Sequence, residues 1–201
     1  MARPREFDEE AVLDSAVLCF WARGYEATSV KDLIEKTGIT AASLYNAFGD
    51  KRRLYQKALE HYVEGSIADR IRRCEQLAPR DAIGTFFAEI LERSLSDRKR
   101  KGCMLVNAAL DVAPHDPESR KIVAGVLVWI EEFFLSNLKA GQADGTITRS
   151  FAAETLAHHL LGVLVGIRVL ARVRPERALL DGVVAPALAL LDRPDREART
   201  Q

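Results

Sequence analysis

An all-α fold is what this sequence predicts, on three observations. Apolar residues recur three and four apart in every long segment, and no stretch alternates as a half-buried strand does. Glycines, prolines and hydroxyl or carboxylate caps punctuate the segments at the offsets where helices start and stop. The 201 residues, 48% of them hydrophobic, suffice for a small N-terminal module and one larger helical domain, each with its own core.

The first helix begins where Phe7 and Val12 bracket Asp8 as a staple and cap, and Leu13, Ala16, Val17 and Phe20 carry its apolar face to Gly24. Arg3 and Arg5 precede it on a short basic arm. Thr28 and Ser29 offer hydroxyl caps to the second helix, with Asp32 three residues after Ser29 completing a capping box. Val30, Leu33 and Ile34 face inward and Gly38 closes the helix. Thr40 caps the third helix almost at once, so the turn is tight, and Ile39 with Leu44 forms a second staple.

This is the grammar of a helix-turn-helix, and the arm bearing Arg3 and Arg5 is placed to reach DNA phosphates or a minor groove. In its second helix Leu44 and Phe48 point to the core, leaving Ala41, Ala42, Ser43, Tyr45 and Asn46 outside. Small residues let a helix approach base edges, Asn pairs with adenine and an alanine methyl meets the thymine methyl. A fourth helix opens after Asp50 with Lys51, Arg52 and Arg53 in its first turn. Cations there oppose the helix dipole, so a phosphate partner accounts for them better than helix stability does.

That helix continues through Leu59, Tyr62, Val63 and Ile67 toward Cys74, so the two domains are expected to share it. Ala82 to Leu95 is the next helix, with Phe86, Phe87, Ile90 and Leu91 at helical spacing, and the basic run Arg98 to Lys101 ends it. Cys103 to Val112 is a short apolar helix stopped by Pro114 and Pro117. A long helix from Asp116 or Pro117 to about Ala140 carries Val123, Leu127, Trp129, Ile130, Phe133, Phe134 and Leu138. Phe151 to Val173 and Arg177 to Leu191 complete the set.

The run FWARGYEATSVKDLIEKTGITAASLYNAFGDKRRL, Phe20 through Leu54, resembles the N-terminal domain of the TetR family of bacterial transcriptional repressors. The shared elements are the aromatic-x-x-x-Gly-Tyr turn, the Thr-Ser-Val start, the Gly-Ile-Thr turn, the Leu-Tyr-x-x-Phe recognition helix and the lysine opening the following helix. The resemblance implies a helix-turn-helix DNA-binding domain over residues 1–53 and a helical bundle for ligand binding and dimerisation over residues 54–201. It places Thr28, Thr40, Tyr45 and Lys51 at phosphates, with Ser29 beside them, and Ala41, Ala42, Ser43 and Asn46 at bases. It further implies a homodimer on a pseudo-palindromic double-stranded operator and a small-molecule effector.

The last two long helices are the expected dimer interface. Leu156, Leu160, Val163, Leu164, Ile167 and Leu170 form one broad apolar face, Gly162 and Gly166 permit close approach, and Val184 and Leu188 continue the surface; the competing reading of this face is intrachain core. The expected effector pocket takes Phe86, Phe87, Asn107, Trp129, Phe133 and His158 from helices of the C-terminal domain, an apolar lining with a few orienting polar groups. Plain core packing is the alternative for the aromatics. Cys103 joins that set because the segment GCMLVNAALDVAPHDPE resembles a TetR subgroup that includes regulators of reactive-compound detoxification. A basic run and a helix start beside Cys103 favour its thiolate, against the alternative of a small buried core residue.

Formal net charge is zero, from 29 basic and 29 acidic residues, so attraction to phosphate must come from local groups rather than a global field. Three cysteines without paired spacing argue against a disulfide framework, and a charged start without an apolar signal region argues for a cytoplasmic protein. Arg168 and Arg172 interrupt the most apolar helix, which reads as buried or interfacial rather than membrane-spanning. No metal or cofactor is expected, since His158 and His159 lack the Glu-x-x-His pair of di-iron bundles. Enzymatic chemistry would have to rest on Cys103 with His115 or His158, and nothing supplies an oxyanion site.

Overall fold

The computed structural model describes residues Phe7 to Arg193; Arg3 and Arg5 lie outside the described residues. Ten α-helices follow in order: α1 (Glu9–Arg23), α2 (Val30–Thr37), α3 (Ala41–Phe48), α4 (Lys51–Val63), α5 (Asp69–Cys74), α6 (Pro79–Ser96), α7 (Met104–Asp111), α8 (Pro117–Asp144), α9 (Ala153–Val173) and α10 (Arg177–Ala189). Among the described residues there is no strand. A π-helical turn, Glu64–Ala68, joins α4 to α5, and within it the Ser66 hydroxyl donates to the Tyr62 carbonyl at 2.6 Å. Such a turn holds one extra residue in the helical ladder, which 3.6-residue periodicity does not reveal.

Two compact units form, Met1–Ala68 with Cys103–Ala124, and Asp69–Gly102 with Gly125–Gln201. The first therefore packs all of α4, α7 and the start of α8 with the helix-turn-helix that the sequence places within residues 1–53. Its core is built from Val12, Ala16 and Phe20 of α1, Leu33 of α2, Leu44 and Phe48 of α3, and Leu54, Tyr55 and Leu59 of α4. Phe20 and Tyr25 both meet the Tyr55 ring at centroid distances of 5.1 Å with steep interplanar angles. Edge-to-face pairs of this kind contribute about 0.5–1.5 kcal/mol each beyond burial. They brace α1, and the turn after it, against α4.

The second unit is organised by phenylalanine. Phe86 and Phe87 of α6 meet Phe133 and Phe134 of α8, with Phe87 and Phe134 stacked at 5.6 Å and Phe86 at 5.3 and 5.2 Å from Phe133 and Phe134. Helix α9 packs on α6 and α10. It is long and apolar enough to cross a membrane by composition, but Leu156, Leu160, Leu164 and Ile167 are buried within the chain. At the end of α8 the turn requires glycine: a Cβ on Gly141 would lie 2.5 Å from Ile147 Cδ1, whose backbone N–H donates to the Gly141 carbonyl.

Candidate nucleic-acid interface

Side-chain caps fix both helices of the helix-turn-helix. Ser29 Oγ accepts from the Asp32 backbone N–H at 3.1 Å, while Asp32 Oδ2 accepts from the Ser29 N–H at 2.8 Å and its hydroxyl at 2.6 Å. Arg23 of α1 pairs with the other carboxylate oxygen. The Ser29 hydrogen bonds, with the Arg23 contact, hold Asp32 at about 2, below its ordinary 3.8. Gly38 then adopts the left-handed conformation, φ 74°, that ends α2, a position only glycine takes without strain. Thr40 Oγ1 accepts from the Ser43 backbone N–H at 3.1 Å and donates to the Ser43 hydroxyl, opening α3. The angle between α2 and α3 is thus set by local hydrogen bonds and by Leu33 and Leu44, both without exposed surface.

With Leu44 and Phe48 inward, α3 turns Ala42, Tyr45 and Asn46 to solvent, residues at i, i+3 and i+4 on one stripe. Ala41 and Ser43 flank it half-buried, and Thr40 is exposed at its N-terminal end. Tyr45 is 44% exposed, while Leu44 beside it has no exposed surface. The first turn of α4 follows. Its N-cap Asp50 accepts from the Arg53 backbone N–H at 2.8 Å, and the Lys51 ammonium rests 4.4 Å from the centroid of the Tyr25 ring. That cation–π contact joins two half-buried residues, holds the amine beside the turn and contributes between about 0.5 and 2 kcal/mol.

Three expectations need revision. Thr28 is completely buried and its hydroxyl donates to the Gly24 carbonyl at 2.7 Å, so it stabilises the turn after α1 and offers no side-chain contact to a phosphate. Leu156, Leu160, Ile167 and Val184, expected at a dimer interface, are buried in their own chain, with Val163, Leu170 and Leu188 half-buried beside them. These residues close the intrachain core because α6 and α10 lie against that face of α9. The opposite face of α9 is the exposed one, carrying His158, Gly162, Val169 and Val173 with half-buried Val165 and Gly166. A Cβ added at Gly162, Gly166 or, on α10, Gly182 would meet nothing within 4 Å, so nothing in the chain itself requires these glycines.

The third revision concerns the effector set. Phe86, Phe87 and Phe133 sit in the aromatic core of the second unit with Trp129 half-buried, whereas Cys103 and Asn107 belong to the first. His158 is exposed, its ring nitrogen 3.1 Å from Glu131, and so lies on the surface rather than among the aromatics. Cys103, 6% exposed, immediately precedes α7, and the Tyr62 hydroxyl of α4 lies 3.6 Å from its sulfur. Burial raises the Cys19 and Cys74 thiols above the ordinary value.

Sequence reasoning missed Asp116 and Gln56. Asp116 was legible only as a helix start, through Pro117 at the first helical position and Ser119 two residues later; its partners Arg52 and Gln56 are about 60 positions away.

A profile of bacterial regulatory proteins of the tetR family matches residues 12–58, and one of tetracyclin repressor-like C-terminal domains matches residues 79–185. The HTH-type transcriptional regulator YezE of Bacillus subtilis is 31% identical over 196 residues, spanning 96% of this chain and all of that protein. The HTH-type transcriptional repressor ComR of Escherichia coli is 31% identical over 85% of this chain and 82% of its own length. A cysteine mutant of the TetR family transcriptional regulator CifR, solved with 26-bp double-strand operator DNA, superposes with a TM-score of 0.82 at 34% identity, covering 93% of this chain and 98% of that one.

Proposed function

This chain belongs to the TetR family of bacterial regulatory proteins and is a DNA-binding transcriptional regulator; from that premise we propose a homodimeric repressor, released from a pseudo-palindromic operator by a small molecule or by modification of Cys103. One observation carries the proposal: α3 holds Ala42, Tyr45 and Asn46 outward on a helix whose start is fixed by the Thr40 cap and whose inner side is anchored by buried Leu44 and Phe48. In this reading Ala42 and Asn46, flanked by Ala41 and Ser43, read base edges in the major groove, while Tyr45, Thr40, Ser29 and Lys51 hold phosphates. The operator in the CifR complex and the repressor activity in ComR's name support the assignment.

The dimer forms through the outward face of α9 and α10, where exposed glycines leave room for a second pair of helices. A two-fold axis there presents two recognition helices to half-sites about 34 Å apart. A small molecule acts by preferring a state in which α4 has shifted, so DNA and effector weaken each other by the same factor. Three cysteines outside any disulfide suit a reducing cytoplasm.

The contact between Tyr62 and Cys103 favours the thiol route as a second input, because any group added to this buried sulfur must displace a side chain of the helix that begins at Lys51. N-ethylmaleimide added to the protein–operator complex is expected to lower operator affinity at least tenfold, and Cys103→Ser to abolish that response while binding DNA normally. A Cys103→Ser protein that responds like the wild type would assign the effect to Cys19 or Cys74, and an unresponsive wild type would leave small-molecule release alone.

A further inference from the structure

We infer that Asp116 is a positioning residue for DNA binding, which withholds Arg52 from the operator and ties the first two turns of α4 to the start of α8. The inference rests on the reading that the opening turn of α4 faces operator phosphates. Asp116, a residue only 6% exposed, makes four contacts through its carboxylate. Oδ2 accepts from Gln56 Nε2 at 2.9 Å, from the Ser119 backbone N–H at 3.1 Å and from the Ser119 hydroxyl, while the Arg52 guanidinium approaches Oδ1 as an ion pair rather than a well-directed hydrogen bond. Arg52 and Gln56 stand four residues apart on one face of α4, so a single group grips two turns of that helix while capping α8.

The charges explain why the arrangement matters. An arginine in the first turn of a helix opposes the dipole and needs an anion, and here the chain supplies one itself. Burial works against ionisation of Asp116, but hydrogen bonds from Ser119 and Gln56 and the charge of Arg52 outweigh it and hold the carboxyl at about 2. It therefore stays charged across the physiological range. Lys51 and Arg52 are adjacent yet differently engaged: the lysine rests on an aromatic face, the arginine on a carboxylate. Helix α8 runs unbroken from this cap to Phe133 and Phe134 in the core of the second unit.

The salt dependence of binding counts phosphate contacts, about 0.9 in the slope of log K against log salt for each one gained. The probe is the duplex that the protein itself enriches from a random pool, titrated against wild type, Asp116→Asn, Arg52→Gln, the double variant and Lys51→Gln. Asparagine keeps the cap but gives up the charge. Asp116→Asn is expected to steepen the slope by about 0.9 per freed arginine, Arg52→Gln to leave it unchanged, and the double variant to restore the wild-type slope. An unchanged slope in Asp116→Asn, or a flattening in Arg52→Gln, would overturn the inference. Because the Arg52 side chain is 53% exposed, Arg52→Gln decides the matter even if Asp116→Asn fails to fold. Lys51→Gln separates the two readings: a slope equal to the wild type's contradicts the placement of α4 at phosphates, whereas flattening by about 0.9 per lysine removed supports it and leaves Asp116 to be judged by its own variants.

Discussion

Tyr45→Ala is expected to weaken operator binding about 100-fold while leaving the melting temperature where it was. A hydrogen bond to a charged group contributes about 1.5–3 kcal/mol. Two copies meet two half-sites, so even the lower figure per site exceeds a hundredfold before partial compensation by water, at about 1.4 kcal/mol for each factor of ten. The fold should be indifferent, because the ring is 44% exposed while its neighbours Leu44 and Phe48 form the core. Leu44→Ala provides the contrast: that side chain has no exposed surface, and its truncation is expected to destabilise the protein by about 2–5 kcal/mol. Titration of a labelled duplex beside thermal melting separates the two effects. Unchanged affinity in Tyr45→Ala would remove α3 from the interface.

Gly162→Leu is expected to have the larger effect on function, by dissolving the dimer. The position is exposed, and nothing in the chain lies within 4 Å of a new Cβ, so the isolated fold has room for a side chain there. Replacing a glycine inside a helix by a good helix former even adds up to about 1 kcal/mol of local stability. Against a second copy packed on the same stripe, the added isobutyl group must clash. Light scattering should then report a mass near 22.3 kDa instead of about twice that. Operator affinity should fall by about 10² to 10⁴, because the second half-site is no longer delivered at high effective concentration. A variant that remains dimeric and binds normally would place the interface elsewhere.

What could be read in the sequence was whatever is encoded within a few residues. The Ser29–Asp32 box, the left-handed Gly38, the Thr40 cap and the inward pair Leu44 and Phe48 all appear where local spacing puts them. Thr28 escaped because two adjacent hydroxyls can each cap a helix in sequence terms; only the fold shows that Ser29 does so while Thr28 turns back to Gly24. The face of α9 was misjudged because apolar residues surround that helix. The large ones mark the side that the chain itself fills, and the exposed side carries glycine and valine. The effector set drew residues from two packing units because periodicity identifies which side chains are buried but not which burials are shared. Asp116 was beyond reach for a similar reason: its cap is local, but its hold on Arg52 and Gln56 exists only once α4 and α8 meet.

Selection of bound sequences from random duplex DNA by the purified wild-type protein, repeated at several salt concentrations, tests the central claim most directly. The expected result is a pseudo-palindrome whose half-sites lie about one helical turn apart or a multiple of it, with affinity falling steeply as salt rises. Enrichment of a lone half-site would contradict the dimer built on α9 and α10. No enrichment at any salt would contradict recognition of a specific operator by α3.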